Sequence, residues 1–508
     1  MRRVLLVAWL MSFGLMLGWA LITPIYGSPD AWAHEFKAYG AAHGQLIPKK
    51  WTNPDSPSAG GFGLVVGPQA WVNQDQRNAC FRFHPTVTPD CALQMEAGDH
   101  LTVSATSAGR YPPAYYVVTG LPTLVMSHLT APWGMRIVAG LLASFFVAWA
   151  AVAASTRKRP GVALVGVAIA CTPALTYLGA TVNPNGLEIS AGLATIACGL
   201  AAVQERREWL ASTMMRRALI AGAVMVSGRV VAPLWLATMF LVLLVIVPFR
   251  DWGGLIRLLR RPLFLLALGS GIAIVIWSRT LGALDPALPT EVNSLHWRMA
   301  TSYAYILEIH NQYLGTFGWF EVRTPESWTA PALWLLFLVV LVCAVWSDRT
   351  TRILLACAGV ATALIVIPTL VTGSTYDALG GAMWQSRYSM PLAVALPVTA
   401  TFVAADHWVP RVGSVVDLVG RAVLAVGVIA SAWLHGWSYL ATLRRYVSGG
   451  GSATDGPWSP PLGARTDLTL NTGLVIAAAA VVLVVLFEVR ASAARVSSTP
   501  RERVPAQG

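Results

Sequence analysis

Arg136-Ile-Val-Ala-Gly-Leu-Leu-Ala-Ser-Phe-Phe-Val-Ala-Trp-Ala-Ala-Val-Ala-Ala154 is followed almost at once by Arg157-Lys158-Arg159. The run carries one charge, and it stands at the head. About 20 such residues in a helix match the hydrocarbon thickness of a bilayer. The three cations behind it mark a cytoplasmic turn under the positive-inside rule. The same pattern repeats outward from here. Apolar runs at residues 162–181 and 187–203 follow, and Arg206-Arg207 closes the second. The turn Asn183-Pro184-Asn185-Gly186 between them then faces outside.

Composition agrees with this reading. Of 508 residues, 55% are hydrophobic and 12% charged, where a soluble domain carries about 25% charged residues. That excludes a soluble globular enzyme. The net charge of +12 sits in short stretches between apolar runs, such as Arg260-Arg261. It is a topology signal and not a basic groove, so nucleic acid is excluded as a partner.

The chain reads as an all-α integral membrane protein, a helical bundle of about ten to twelve spans. Met1-Arg2-Arg3 precedes an apolar run too long for a typical signal peptide. Residues 1–23 are therefore expected to be a retained first span, with the N-terminus in the cytoplasm. Residues 24–132 form a large extracytoplasmic loop, with 114–129 lying at the membrane interface. Residues 133–489 form the bundle, with external loops at about 280–329, 372–387 and 441–470. Further spans are expected at 263–277, 333–346, 353–371, 390–404, 422–440 and 473–487. Residues 490–508 are expected to be a disordered cytoplasmic tail. Between Arg217 and Arg250 both ends are basic, so a pair of helices should meet near the outer half, with Arg229 at the bend. Arg444-Arg445 falls outside, against the positive-inside trend: a weak point in this topology, or a binding feature.

Four cysteines lie in apolar runs, as small hydrophobes. Cys80 and Cys91 lie in the polar loop, where a disulfide is compatible with an oxidising compartment. No phosphate-binding glycine loop, paired CxxC, HExxH or GxSxG is present in the chain.

The external segments carry the chemistry. Pro29-Asp30-Ala31-Trp32-Ala33-His34-Glu35 follows the first span. Asp30 and His34 share one face if a helix starts here, and Asp30 could act as a general base on a sugar hydroxyl. An N-cap Asp with a surface His would give the same letters. Arg110-Tyr111-Pro112-Pro113-Ala114-Tyr115-Tyr116 reads as a wall of a substrate site or as an interfacial aromatic belt. Asn183 and Glu188 stand at a span end, where a capping role competes with a functional one, and intramembrane carboxylates are expensive. Glu308, His310, Trp319 and Glu321 lie in an external loop rich in glycine. Gln385-Ser386-Arg387-Tyr388 precedes a span, and Arg387 suits a phosphate or a lipid headgroup.

The order of these motifs resembles the family catalogued as domain of unknown function 2142, over roughly residues 1–440. That family in turn resembles the GT-C glycosyltransferases, which take sugars from polyprenyl-phosphate donors. The resemblance implies a GT-C-like bundle and a polyprenyl-phosphate-linked sugar donor. It implies an envelope glycan or lipid acceptor and a site on the outer face of the plasma membrane. Asp30 is the matching catalytic base. The family often has Glu after that Asp, and this chain has Ala31, so Glu35 is the remaining acidic partner. A divalent cation, Mg or Mn, is left open by that departure. Glu321 stands where the family usually has Asp. Arg387 matches an arginine suited to the donor phosphate, with His310 beside it, and Arg229 stands where similar enzymes often carry Lys. His34, Arg110, Tyr111, Tyr115, Asn183, Glu188, Trp319, Gln385 and Tyr388 complete the expected substrate site. A transporter or flippase of lipid-linked glycans and a non-catalytic scaffold are the alternatives.

Overall fold

The computed structural model describes residues 1–51, 62–92, 95–204, 212–249, 252–258, 260–281, 306–371, 384–409 and 415–449. The expected spans at 473–487, the tail at 490–508, and most of the external loops near 280–305 and 372–383 lie outside the described residues.

The apolar runs form helices because a bilayer offers no partner to an open backbone group. Helix α1 (Arg2–Ile22) leads into α2 (Ala31–Ala42) and α3 (Gln69–Arg77). A short helix, α4 (Ala114–Gly120), and a 3-10 turn (Leu121–Leu124) then lead to α5 (Ala131–Ser155). The bundle continues through α6 (Pro160–Ala170), α7 (Pro173–Gly179), α8 (Pro184–Val203), α9 (Thr213–Val226), α10 (Ala232–Ile246), α11 (Gly253–Leu258) and α12 (Pro262–Thr280). After α13 (Ile306–Leu314) come α14 (Glu326–Val345), α15 (Thr350–Val371), α16 (Met390–Ala393), α17 (Ala395–His407) and α18 (Val415–Ser448). Prolines at the first positions of α6, α7, α8 and α12 suit a place where the missing N–H has no partner to lose.

The chain forms the many-span helical bundle that its sequence implies. Among the described residues eight helices are long and apolar enough to cross a membrane, and nine if the bent pair α6–α7 is one span. The expected ten to twelve include one at 473–487, outside the described residues, and count two helices between Arg217 and Arg250. The run at 162–181 is not one straight helix. Pro173 removes a helical donor and biases Thr172 away from helix. The two halves meet at 67°, and the Thr172 hydroxyl caps α7 by accepting from the Leu175 N–H. The run at 217–250 is a pair, α9 and α10, with Arg229 at the bend.

Helix α8 is the central post, almost wholly buried. Its small residues let neighbours close in. A Cβ on Gly186 would stand 2.4 Å from the Leu178 carbonyl oxygen of α7. At the far end from residues 24–130, Asp406 accepts from the Arg157 guanidinium at 2.8 Å and from the Lys158 N–H at 2.8 Å.

The described residues between 24 and 130 form a second, smaller core around Phe36, Tyr39, Val65, Trp71, Tyr115 and Tyr116. Here the structure adds what the all-helical reading lacks. Strands β1 (Lys49–Lys50), β2 (Gly63–Pro68) and β3 (Leu101–Thr106) form an antiparallel sheet in that order. Val66 pairs with Val103 and Gly63 with Thr106. β2 has six residues with one clear alternation, too short a signal inside a Pro/Gly-rich stretch to stand out. Helix α4 crosses α2 so closely that a Cβ on Gly120 would meet the Ala38 carbonyl oxygen at 2.2 Å. Val118, Leu121, Leu124 and Val125 face outward from this segment, while Tyr115 and Tyr116 face in.

Cys80 and Cys91 are joined in a disulfide. Strands β4 (Thr316–Phe317) and β5 (Val322–Arg323) form a hairpin beside this loop.

Candidate active site

The site begins where α1 ends. Arg136 of α5 gathers the carbonyls that α1 and its exit leave open: Ala20 at 3.4 Å, Thr23 at 2.7 Å and Pro24 at 2.9 Å. The chain then turns sharply. Tyr26 and Asp30 take left-handed backbone conformations, φ 58° and 61°, which a non-glycine residue adopts only at a cost. Asp30 stands at the N-cap of α2, yet its side chain makes no capping bond. Instead its Oδ2 accepts from Arg387 Nη2 at 2.6 Å. The ordinary explanation of an aspartate at a helix start therefore does not account for its orientation.

Arg387 sits in a single 3-10 turn, Ser386–Tyr388, just before α16. Gln312 of α13 fixes that turn by accepting from the Ser386 N–H at 3.0 Å. Opposite, at the α9–α10 bend, Arg229 donates to the Tyr111 hydroxyl at 3.4 Å and lies 5.0 Å from the Tyr111 ring and 5.3 Å from the Tyr388 ring. The Nε atoms of Arg229 and Arg387 are both buried without a hydrogen-bond partner. Glu188, just past the first turn of α8, is 2% exposed, has an unpartnered Oε2, and lies in the field of Arg229.

The side chain of Asp30 remains 40% exposed, while that of Arg387 is 9% exposed. Partial burial pushes the Asp30 carboxyl up, but the Arg387 guanidinium, with Arg229, more than offsets this and holds it below the usual carboxylate range. Burial pushes the His34 imidazole down to about 3, against the pull of Asp30. It is therefore neutral at physiological pH, and its Nδ1 shares a 2.8 Å hydrogen bond with the Tyr116 hydroxyl. Burial raises the Tyr111 and Tyr116 phenols, which stay protonated.

The other expected residues distribute themselves around this centre. Tyr388 touches both arginines. The Arg110 backbone carbonyl accepts from Trp277 Nε1 at 2.9 Å. Gln385 Oε1 is buried without a partner, in a small cavity of about 40 Å³ that Pro29, Tyr177, Phe320 and Arg387 also line. Asn183 caps α8 through the Asn185 N–H at 3.0 Å, and Tyr115 packs in the loop core. His310 lines an apolar cavity of about 350 Å³, with Tyr313, Trp328 and Leu333. That cavity shares Met390 with the small one. Trp319 donates to the Tyr26 carbonyl at 3.2 Å.

Two expected residues serve scaffolding contacts in this structure. Glu35 is fully buried and lies 3.5 Å from Arg136, behind the α1 exit, rather than beside Arg387. Successive helical residues point about 100° apart, so Glu35 cannot share the Asp30–His34 face. Glu321 is held by Arg445 Nε at 2.7 Å and by the Phe83 N–H at 2.6 Å. Arg445 also donates to the carbonyls of Phe81, His84 and Val87. That gives Arg445, at the C-terminal end of α18, a role: it ties down a loop. Sequence reasoning missed Arg136 and Gln312. Arg136, a cation at the N-terminal end of α5 on the side expected to face outside, carried the same signal as Arg445.

Among the described residues no three His, Cys, Asp or Glu side chains converge on a metal position. The carboxylate at the centre faces two guanidinium groups, a donor set that suits an anion better than a cation.

A family model described as "Predicted membrane protein (DUF2142)" matches residues 13–396. No curated protein matches the chain. Among solved structures, the chain is similar to the crystal structure of ArnT from Cupriavidus metallidurans bound to undecaprenyl phosphate, at 14% identity and a TM-score of 0.42, covering 94% of this chain and 76% of that one.

Proposed function

The chain belongs to the DUF2142 family of membrane proteins, and from that premise we propose that it is a membrane glycosyltransferase using a polyprenyl-phosphate-linked sugar. One observation carries the reading. Buried Arg387 bonds the partly exposed carboxylate of Asp30, half-buried Arg229 adds a second positive field there, and Arg387 lines a small cavity that shares Met390 with a larger apolar one. A lipid phosphate supplies what this arrangement lacks: negative charge for two guanidinium groups, and a chain for the apolar space. The motif order of the family supports the same reading.

The chemistry follows from the charges. Without donor, Asp30 is neutralised by Arg387 and is a weak base. A donor phosphate competes for Arg387 and releases the carboxylate, whose affinity for a proton rises. Asp30 then takes the proton of an acceptor hydroxyl. The hydroxyl oxygen forms a bond to the anomeric carbon, and the bond from that carbon to the phosphate oxygen breaks. The lipid phosphate leaves with the charge, which Arg387 and Arg229 stabilise. No step runs through a metal ion.

The reading places the 24–130 segment outside the plasma membrane and the Arg157–Arg159 turn in the cytoplasm. The Cys80–Cys91 disulfide supports an oxidising compartment for that segment. Transfer by purified protein in nanodiscs, from a panel of radiolabelled polyprenyl-phosphate sugars, is the test. Wild-type protein should transfer from at least one donor, and Asp30→Asn should not. No transfer from any donor by folded protein would favour a carrier or scaffold of lipid-linked glycans.

A further inference from the structure

Phe83 is 61% exposed and has φ 63°. Left-handed backbone at a bulky residue is rare and costs about 1–3 kcal/mol. Exposure of the ring gives no burial in return, so packing of the side chain does not account for the strain. Many other exposed apolar side chains lie on the spans, where lipid covers them. Phe83 lies instead at the tip of the Cys80–Cys91 loop.

The surroundings hold it there firmly. The Phe83 N–H donates to Glu321 Oε1 at 2.6 Å. Glu321 is gripped by Arg445, which also clamps the carbonyls of Phe81, His84 and Val87. Gly449 makes room for the same loop: a Cβ there would lie 2.3 Å from the Thr86 carbonyl oxygen. The Phe83 ring stands edge-on to Trp319, centroids 5.4 Å apart. The Arg82 guanidinium covers the Trp319 ring at 4.3 Å and pairs with Asp75. Phe320, next to Trp319, lines the small cavity that holds Arg387 and Pro29.

We propose that Phe83, with Trp319, Arg82 and Asp75, forms a carbohydrate platform that seats the acceptor glycan beside the Asp30–Arg387 site. A sugar ring has an apolar C–H face and a rim of hydroxyls. An exposed ring held rigidly suits the face, because little side-chain entropy is lost on binding. A planar guanidinium and a carboxylate at the edge suit the hydroxyls. The strain is then a device that presents the ring toward the substrate. The word acceptor rests on the transferase reading; the platform itself does not.

The test is binding without turnover. Full-length protein in nanodiscs is applied, without donor, to a printed array of neutral and acidic oligosaccharides. The proteins are wild type, Phe83→Ala and Phe83→Trp. All three keep the backbone bond to Glu321, and a thermal melt confirms the fold. Wild type should retain at least one oligosaccharide. Phe83→Ala should lower its apparent affinity about tenfold, as loss of one stacked ring implies, and Phe83→Trp should largely restore it. Equal binding by wild type and Phe83→Ala, or no oligosaccharide bound by wild type, overturns the platform. The two readings fail separately. Phe83-dependent binding without transfer from any donor leaves the platform and removes the transferase. Transfer at wild-type kcat/KM by Phe83→Ala leaves the transferase and removes the platform.

Discussion

The Asp30 carboxylate accepts a 2.6 Å hydrogen bond from the Arg387 guanidinium across 357 positions of sequence. The pair joins the exit of the first span to the turn before α16. It sets the base and the phosphate ligand against each other, so each should report on the other when one is removed. Asp30→Asn should abolish transfer yet bind polyprenyl phosphate at least as tightly as wild type, because it frees Arg387. Arg387→Ala should lose about 10- to 100-fold in that affinity, the range of a charge-assisted hydrogen bond. Native mass spectrometry with polyprenyl phosphate measures both. Weaker binding in Asp30→Asn would mean that the carboxylate helps to hold the donor and does not compete for Arg387.

Arg229 adds the second cation, between the rings of Tyr111 and Tyr388. A guanidinium stacks on such rings and presents a fixed fork, whereas an ammonium does neither as well. Arg229→Lys should therefore keep the charge and still weaken polyprenyl-phosphate binding several-fold, with Arg229→Ala weaker again. Identical affinities for Lys and Arg at this position would reduce its role to a point charge.

The spans were legible because lipid imposes length and composition on each one separately. The Arg229 bend was legible for a related reason: two basic ends cannot flank one crossing. Pro173 was visible in the sequence too, but its effect depends on Thr172 capping α7 and on how the neighbouring helices pack. The strands Gly63–Pro68 and Leu101–Thr106 pair across an intervening helix, and neither declares itself alone. Asp30 and Arg387 each stood out, but their contact is tertiary and no local pattern encodes it. Glu35 and Glu321 looked like Asp30 in one dimension. Only the packing shows that Arg136 and Arg445 engage them.

Glu35 and His34 make a pH prediction with opposite signs. Burial raises the Glu35 carboxyl from about 4.5 to about 7, only partly offset by Arg136. The folded state keeps a proton that the unfolded chain releases, so this contribution favours the fold at low pH and is lost as pH rises from 4.5 to 7. Burial lowers His34 from about 6.5 to about 3. The unfolded chain binds that proton first, so this contribution grows as pH rises from 3 to 6.5. The two slopes oppose each other between pH 4.5 and 6.5. Glu35→Gln should therefore gain stability with rising pH more steeply than wild type, and His34→Gln should lose it more steeply. Thermal melts in detergent at pH 5, 6 and 7.5 decide this, and parallel curves for all three proteins would refute the assignment.

Arg445 and Glu321 make the last prediction, about the roof over the site. Their side chains are 2% and 4% exposed. Removing one partner of a buried pair strands the other charge at a cost of about 3–5 kcal/mol. Arg445→Ala and Glu321→Gln should each lower Tm markedly, and replacing both with apolar residues of similar size should recover little, because the carbonyls of Phe81, His84 and Val87 and the Phe83 N–H would still lose their partners. Tyr446 adds a tie by donating to the Gly27 carbonyl at 2.8 Å, three residues before Asp30. Loosening this end of α18 should therefore raise amide exchange in residues 24–30 as well as in 80–91. Reduction of the Cys80–Cys91 disulfide should reproduce the 80–91 signal while Arg445 still grips Glu321, leaving 24–30 protected. Exchange at 24–30 unchanged in Arg445→Ala would separate the roof from the strained turn that carries Asp30, and would assign the hold on that turn to Arg136, Asn78 and Trp319.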